Sequence, residues 1–451
     1  MPKAALPTKL PVERAFLVGI EVHGRHALLS MDDSLAELAL LADTAGLKVV
    51  GETYQRIDRP DSNTYIGSGK AEEVRDFAEE VLADVVIFDE ELSPRHQREL
   101  EKLLGENVKV LDRTALILDI FAQHARTREG TLQVELAQYE YRLPRLTRQW
   151  THLARQAGGG AGRGGTGGVG LRGPGETQLE VDRREITGRI VHLKQELERV
   201  RSHRKRYRAQ RKRNAIPVVA IVGYTNAGKS TLLNTLTGSI EVATADRLFE
   251  TLDPTTRRVK LPNGQWVLFT DTVGFIQKLP TTLVAAFRAT LEEISEADLL
   301  VHVLDLTHPN ARQQAVAVQD TLDALNVHDL PVVTALNKMD AVDEAGQALA
   351  WERLGDLYQD GIPISALTGQ GIEALLAQVA TDLYADLVPM RILVPHENGQ
   401  LISLFHEQAV VDSVEHLAEG VLLAGRLPAR LAPRFQAFVP KPKRRAAQRA
   451  R

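Results

Sequence analysis

The chain has 451 residues, 43% hydrophobic and 25% charged, with a formal net charge of −4 and no cysteine. Those proportions are ordinary for a globular protein, and the length argues for several domains. Disulfides and thiolate metal sites are excluded. No apolar run approaches the ~18 residues a membrane helix needs, and the start lacks a signal-peptide pattern, so a cytoplasmic protein that needs no membrane is expected.

Residues 13 to 130 alternate extended and helical patterns. Phe16 to Ile20 reads as a strand, Ser34 to Ala45 as a helix, and Val49 onward as a strand. Ala71 to Leu82 is helical, Val85-Val86-Ile87-Phe88 a buried strand, Pro94 to Leu104 a helix, and Val108 to Leu111 a strand. This alternation predicts a small α/β domain over residues 1–130 with a parallel sheet. Tyr65-Ile66-Gly67-Ser68-Gly69-Lys70 resembles a phosphate loop, but its spacing is wrong and no long strand precedes it. It reads as a helix-entry turn, with a nucleotide or RNA-backbone contact as the alternative.

Residues 131–214 carry two apolar seams. Leu132, Leu136, Tyr139, Leu143, Leu146, Trp150 and Leu153 alternate spacings of four and three. Leu179, Ile186, Ile190, Leu193, Leu197 and Val200 nearly repeat this, with Asp182 breaking one slot. Narrow seams of this kind mark helices packed side by side. Two in succession predict an antiparallel helical hairpin, an arm about 30 Å long for twenty residues. Pro144 is expected to kink its first helix. The joining segment, residues 158–175, is mostly glycine, carries Arg163 and Arg172, and has no acid. Composition alone fits a flexible spacer. Its place at the tip of a rigid arm favours a probe that enters a narrow RNA-lined space. From Arg201 to Arg213 the sequence RSHRKRYRAQRKR has no acid either, a local pattern suited to polyanion contact.

Residues 217–387 carry the chemistry. Val218 to Val222 reads as a buried parallel strand. It leads into Gly223-Tyr224-Thr225-Asn226-Ala227-Gly228-Lys229-Ser230, the full G-x-x-x-x-G-K-S phosphate loop, and a helix start follows. Such a loop turns backbone N–H groups toward phosphate oxygens, helped by the helix dipole. Lys229 is expected to reach the β- and γ-phosphates and Ser230 to ligate Mg²⁺. Phe249-Glu250-Thr251-Leu252-Asp253 opens a hydroxyl-rich loop in which one threonine should close on Mg²⁺. Thr251 is favoured, and spacing leaves Thr255 and Thr256 open. In Asp271-Thr272-Val273-Gly274, Asp271 would hold a metal-bound water and the Gly274 N–H would meet the γ-phosphate.

Asn337-Lys338-Met339-Asp340 follows another apolar run. There the Asp340 carboxylate accepts from guanine N1–H and the exocyclic amine, which adenine cannot match. Asn337 would touch the base edge and brace the phosphate loop, and the Lys338 stem would cover a ring face. In Ser365-Ala366-Leu367 the Ala366 N–H would point at guanine O6. The ordered series predicts a doubly wound GTPase domain. Phe275 stands where efficient GTPases place a water-orienting glutamine, so intrinsic hydrolysis should be slow and dependent on outside help. Asn226 either assists a K⁺ ion beside the β- and γ-phosphates or only tolerates the turn.

Residues 388–451 return to short elements: Ile392 to Pro395, Gln400 to Leu404 and Gly420 to Gly425 read as strands and turns of a small α/β C-terminal domain. A basic tail runs from Lys441 to Arg451.

The stretch Gly170-Leu171-Arg172-Gly173-Pro174-Gly175-Glu176-Thr177-Gln178-Leu179-Glu180, followed by Gly223 to Ser230 and by Leu252-Asp253-Pro254-Thr255-Thr256-Arg257, resembles the HflX family of bacterial ribosome-associated GTPases. The resemblance extends over nearly the whole chain. It implies GTP hydrolysis with Mg²⁺, binding to the large ribosomal subunit, and splitting or rescue of stalled ribosomes under stress; contact with rRNA and a monomeric free protein are expected. It also places the metal threonine at Thr251, makes a hydrophobic Phe275 unsurprising, and marks the basic tail as a variable extension. Two rivals remain: a GTPase that controls a protein partner, its basic segments merely solvated, and a tRNA-modifying GTPase, which would need catalytic residues in the flanking domains that are not seen.

Overall fold

A computed structural model describes residues 12–24, 28–105, 107–146, 178–214, 216–238, 248–249, 252–278, 294–325, 327, 330–343, 346, 352–355, 358, 360–384, 387–428 and 431–440. The glycine-rich segment, Glu250, Thr251, Leu153, Trp150 and the basic tail lie outside them.

The N-terminal unit follows the expected alternation: β1 (Arg14–Val22), α1 (Met31–Thr44), β2 (Lys48–Ile57), α2 (Ser68–Glu80), β3 (Val85–Phe88), α3 (Pro94–Leu104), β4 (Lys109–Asp112) and α4 (Arg113–His124). Its four strands are parallel in the order β2-β1-β3-β4. Side chains alternate across a strand, so Phe16, Val18 and Ile20 pack with α2 and α3 on one face, while Ala15 and Leu17 pack with α1 and α4 on the other. Each of α1, α3 and α4 starts at a side-chain cap, from Ser30, Ser93 and Asp112, which satisfies a first-turn amide. The Tyr65 to Lys70 stretch is a helix entry: Gly67 precedes α2 as its N-cap. A ten-residue strand, β2, does precede it in the chain, and Lys70 is engaged within the unit, its Nζ donating to Thr53 Oγ1 at 2.7 Å.

The arm is built from α5 (Arg128–Arg142) and α6 (Gln178–Asn214). Leu132, Leu136, Ile190, Leu193 and Leu197 form its buried seam, with Tyr139, Leu143, Ile186 and Val200 against them. Across it Arg128 pairs with Glu196, Glu135 with Arg189 and Glu140 with Lys194. The expected kink at Pro144 is corrected: α5 ends at Arg142 and a tight turn spans Leu143–Arg145. Proline has no N–H to continue the helical ladder, and the start of such a turn needs none.

The central unit has β5 (Val218–Gly223), α7 (Lys229–Thr237), β6 (Thr255–Lys260), β7 (Trp266–Asp271), β8 (Leu299–Asp305), α8 (Ala311–Ala324), β9 (Val332–Asn337), β10 (Ile362–Pro363) and α9 (Ile372–Leu383). The sheet order is β10-β9-β8-β5-β7-β6, parallel except for the edge strand β6. Val219 and Ile221 face one helical layer, Ala220 and Val222 the other. The second layer is shared. Leu38, Leu41, Ile117 and Phe121 of the N-terminal unit belong to one apolar core with Tyr224, Phe249, Leu252, Phe275 and Ile276. The two sheets therefore bury their facing layers against each other.

The C-terminal unit corrects one element. Gln400 to Leu404 lies in a helix, α10 (Gly399–Gln408), because Leu401, Leu404 and Phe405 fall on one helical face over the core. Its sheet is β11 (Leu387–Val394), β12 (Val410–Leu417) and β13 (Gly420–Pro428), antiparallel in the order β11-β13-β12. Among the described residues no helix is long and apolar enough to cross a membrane.

Candidate functional site

The phosphate loop leaves β5 at its carboxyl end and enters α7. Two of its glycines are required by close approach. At Gly223 (φ 154°) a Cβ would collide with the Val303 carbonyl, and at Gly228 (φ 94°) with the Asn337 side-chain amide. Asn226 sits in the left-handed region at φ 59°, which asparagine tolerates better than most residues. The Thr225 hydroxyl is buried without a protein partner among the described residues. Lys229 is 6% exposed and its Nζ donates to the Tyr224 carbonyl at 2.7 Å. Burial pulls its pKa down to about 8, with nearby Asp271 opposing.

Ser230 Oγ donates to Asp271 Oδ2 at 2.7 Å. A hydroxyl and a fully buried carboxylate side by side are hard oxygen donors of the kind Mg²⁺ takes. Next in the chain, the Thr272 hydroxyl donates to the Ile221 carbonyl at 2.7 Å, tying the end of β7 to β5. Val273 is buried. Gly274 packs against the loop so closely that a Cβ would lie 2.9 Å from Thr225 Cα and 3.0 Å from Lys229 Nζ. The segment beyond is laced to the phosphate loop: Thr225 N–H donates to the Phe275 carbonyl at 2.8 Å, and Phe275 N–H to the Gly223 carbonyl at 3.1 Å. The Phe275 ring is 2% exposed, in the shared core.

At the other end, Asn337 Nδ2 donates to the Ala227 carbonyl at 2.8 Å, so it braces the phosphate loop. Its Oδ1 accepts the Ala366 N–H at 2.9 Å. The Ala366 amide, expected to face guanine O6, is here engaged by Asn337. Asp340 Oδ1 accepts from Ser365 Oγ at 2.5 Å, which orients the exposed carboxylate. Lys338, in the left-handed region at φ 68°, pairs with Asp305 at 2.7 Å. Met339 is half-buried beside them, and Leu367 is 75% exposed.

In the threonine loop, Phe249 and Leu252 are buried in the shared core. Thr255 and Thr256 belong to β6, and the Thr256 hydroxyl lies 3.0 Å from that of Thr270. The Asp253 carboxylate is engaged by Arg126 and Thr127, at the start of α5.

Four residues of this neighbourhood escaped the sequence: Glu37, Asp89, Arg113 and Lys278. The Tyr224 hydroxyl donates to Glu37 Oε2 and accepts the Gln277 N–H at 2.8 Å. Glu37 also accepts from Arg113, whose other nitrogen donates to Asp89 Oδ1 at 2.8 Å. Asp89 Oδ2 in turn accepts from Ser34 Oγ at 2.7 Å and pairs with Lys278 at 2.6 Å. Burial, then the Glu37 charge, push the Tyr224 phenol above its ordinary range, so it stays a donor. No local spacing announces this network. An aromatic residue inside the phosphate loop is its only trace in the motif itself.

Comparison with known proteins comes to the same place. Residues 32–122 match the family described as GTP-binding GTPase N-terminal, 124–211 the GTP-binding GTPase Middle Region, 218–338 the 50S ribosome-binding GTPase, and 355–436 the HflX C-terminal domain. The GTPase HflX of Alkalihalophilus pseudofirmus is 44% identical over 400 residues, 89% of this chain and 90% of its own. That of Escherichia coli is 40% identical over 397 residues, 88% of this chain and 90% of its own. Among solved structures, a GTP-binding protein from the archaeon Sulfolobus solfataricus in complex with GDP is 25% identical. It covers 82% of this chain and 99% of that one, at a TM-score of 0.40.

Proposed function

The chain belongs to the HflX family of GTPases, and from that premise we propose a nucleotide-driven switch that engages the large ribosomal subunit. It is a GTP hydrolase. The observation that carries the site assignment is the Ser230–Asp271 pair beside Lys229, braced through Asn337 to the base end. In this reading residues 223–230 bind the phosphates, and Lys229 trades its bond to the Tyr224 carbonyl for the β- and γ-phosphates. Gly274 N–H faces the γ-phosphate. Asp340 and Asn337 select guanine, with Lys338 and Ala366 flanking the ring. Ser230 and Thr251, with Asp271 beside them, would hold Mg²⁺, and that ion would supply charge neutralisation on the transferring phosphoryl group. Support for Thr251 over its neighbours is that Thr255 and Thr256 are strand residues, the latter against Thr270.

The buried Phe275 leaves no side chain at that position to align water, so the free rate is slow. External help in such systems is worth up to about 10⁵-fold. Here it comes from the ribosome, and from K⁺ held beside Asn226. Exchanging Na⁺ for K⁺ should raise steady-state hydrolysis several-fold; equal rates would remove the cation from the scheme.

The description of the family matched by residues 218–338, a 50S ribosome-binding GTPase, supports the partner. The arm and the glycine-rich loop contact rRNA, in the cytoplasm, on stalled ribosomes that the protein splits or rescues under stress. Co-sedimentation with large subunits tests this. A non-hydrolysable GTP analogue should enrich the protein on subunits over GDP, and the affinity should fall steeply with salt, as phosphate contacts demand. Equal sedimentation in both nucleotides rejects the switch. A shallow salt slope favours a protein partner instead.

A further inference from the structure

The threonine loop is fastened to the base of the arm. Asp253 Oδ2 accepts the N–H groups of Arg126 at 2.8 Å and Thr127 at 2.7 Å, and its Oδ1 accepts the Thr127 hydroxyl. Thr127 is the N-cap of α5, and its own oxygen also accepts the Gly130 N–H. The amino end of a helix offers unpaired N–H groups and a positive dipole end, so a carboxylate is well placed there. The seat is shaped for it. At Gly130, in the first turn of α5, a Cβ would collide with Asp253 Oδ1. Glycine costs a helix roughly 1 kcal/mol relative to alanine, and here its bare Cα admits the carboxylate.

The other flank of the loop is also fastened to the N-terminal unit. The Phe249 ring meets Phe121 edge-on at 4.7 Å, and the Leu248 N–H donates to Thr44 Oγ1 at 3.2 Å. Phe249 is held at φ 58°, a conformation such a bulky residue rarely adopts. Thr251 itself lies outside the described residues.

We propose that Asp253 is a positioning residue for hydrolysis. Seated on α5, it anchors the flank of the loop that runs into β6, and it makes the base of the arm part of the GTPase centre. This rests on the reading of Thr251 as the metal threonine. The test uses the full-length protein without ribosomes, so that it stands apart from the ribosome assignment. Gly130→Ala evicts the carboxylate while touching no nucleotide contact. Its kcat should fall about tenfold, the scale of one charge-assisted hydrogen bond, with GDP affinity within about twofold of wild type. Asp253→Asn, which keeps shape and loses charge, should lower kcat in the same direction. In an Asp253→Ala background, Gly130→Ala should cost nothing more, because its target is gone. A wild-type kcat for Gly130→Ala, or an equal loss in both backgrounds, overturns the proposal. Thr251→Ala separates the two claims. If it retains full turnover, the loop reading falls and takes this proposal with it. If it loses turnover while Gly130→Ala does not, only the positioning role fails.

Discussion

The two ends of the nucleotide pocket are held in different ways. The base end is braced from within: Asn337 joins Ala227 to Ala366, and Ser365 orients Asp340. The phosphate end leans on a neighbour. Tyr224 bonds to Glu37, Lys278 to Asp89, Phe249 packs on Phe121, and Asp253 sits on α5. The residues proposed to read the base are thus held by contacts within the central unit. The loops around the phosphates are set by contacts from more than a hundred positions away in sequence, such as the 187 that separate Glu37 from Tyr224.

The contrast can be broken most sharply at Asp340. Asp340→Asn should turn preference from guanine toward xanthine nucleotides by about 10³-fold or more, since a site built to hydrogen-bond one base edge penalises the edge that leaves its groups unpaired. Competition binding with GTP and XTP measures it, and an unchanged order would mean the base is read elsewhere. The stability of the N-terminal contacts should be untouched.

A proton at Lys229 gives the next effect. Burial lowers its pKa to about 8, whereas phosphate oxygens favour the ammonium. Below pH 8 the lysine is already charged and affinity should be flat. Above it, binding must take up a proton, so GDP affinity should weaken by up to about tenfold per pH unit until the bound-state pKa is reached. A titration of a fluorescent GDP analogue from pH 7 to 9 checks this. A flat profile would place the free lysine's pKa well above 9.

The smallest effect probes the interface. Tyr224→Phe keeps the ring and removes the hydroxyl, leaving Glu37 and the Gln277 amide short of a partner inside the protein. About 2 kcal/mol of stability should be lost, seen as a lower thermal midpoint, with the guanine preference intact. A midpoint equal to wild type would show that the network does not brace the loop.

What could be foreseen follows the same division. The loop at 223–230, Asp271 to Gly274 and Asn337 to Asp340 are short motifs whose spacing fits the phosphates and base proposed for them, so each is legible by itself. The seam of the arm is legible too, because Leu132, Leu136, Ile190, Leu193 and Leu197 obey one helical period and do meet. Gln400 to Leu404 misled because a short apolar run suits a strand and a buried helix equally; Phe405 one position on completes a helical face. Glu37, Asp89 and Arg113 gave no sign at all. Each looks like an ordinary surface charge until tertiary packing brings them together around Tyr224. The N–H of Ala366 was legible as a donor at this end of the site, but its bond to Asn337 Oδ1 was not, because that depends on where the Asn337 side chain settles.

The core shared by the two parallel sheets carries a consequence for truncation. Cut loose at residue 217, the nucleotide-binding half would turn Phe249, Leu252, Phe275 and Ile276 out to water, an adhesive patch prone to clumping. To stand as a free module, that half would first need polar residues along the exposed wall.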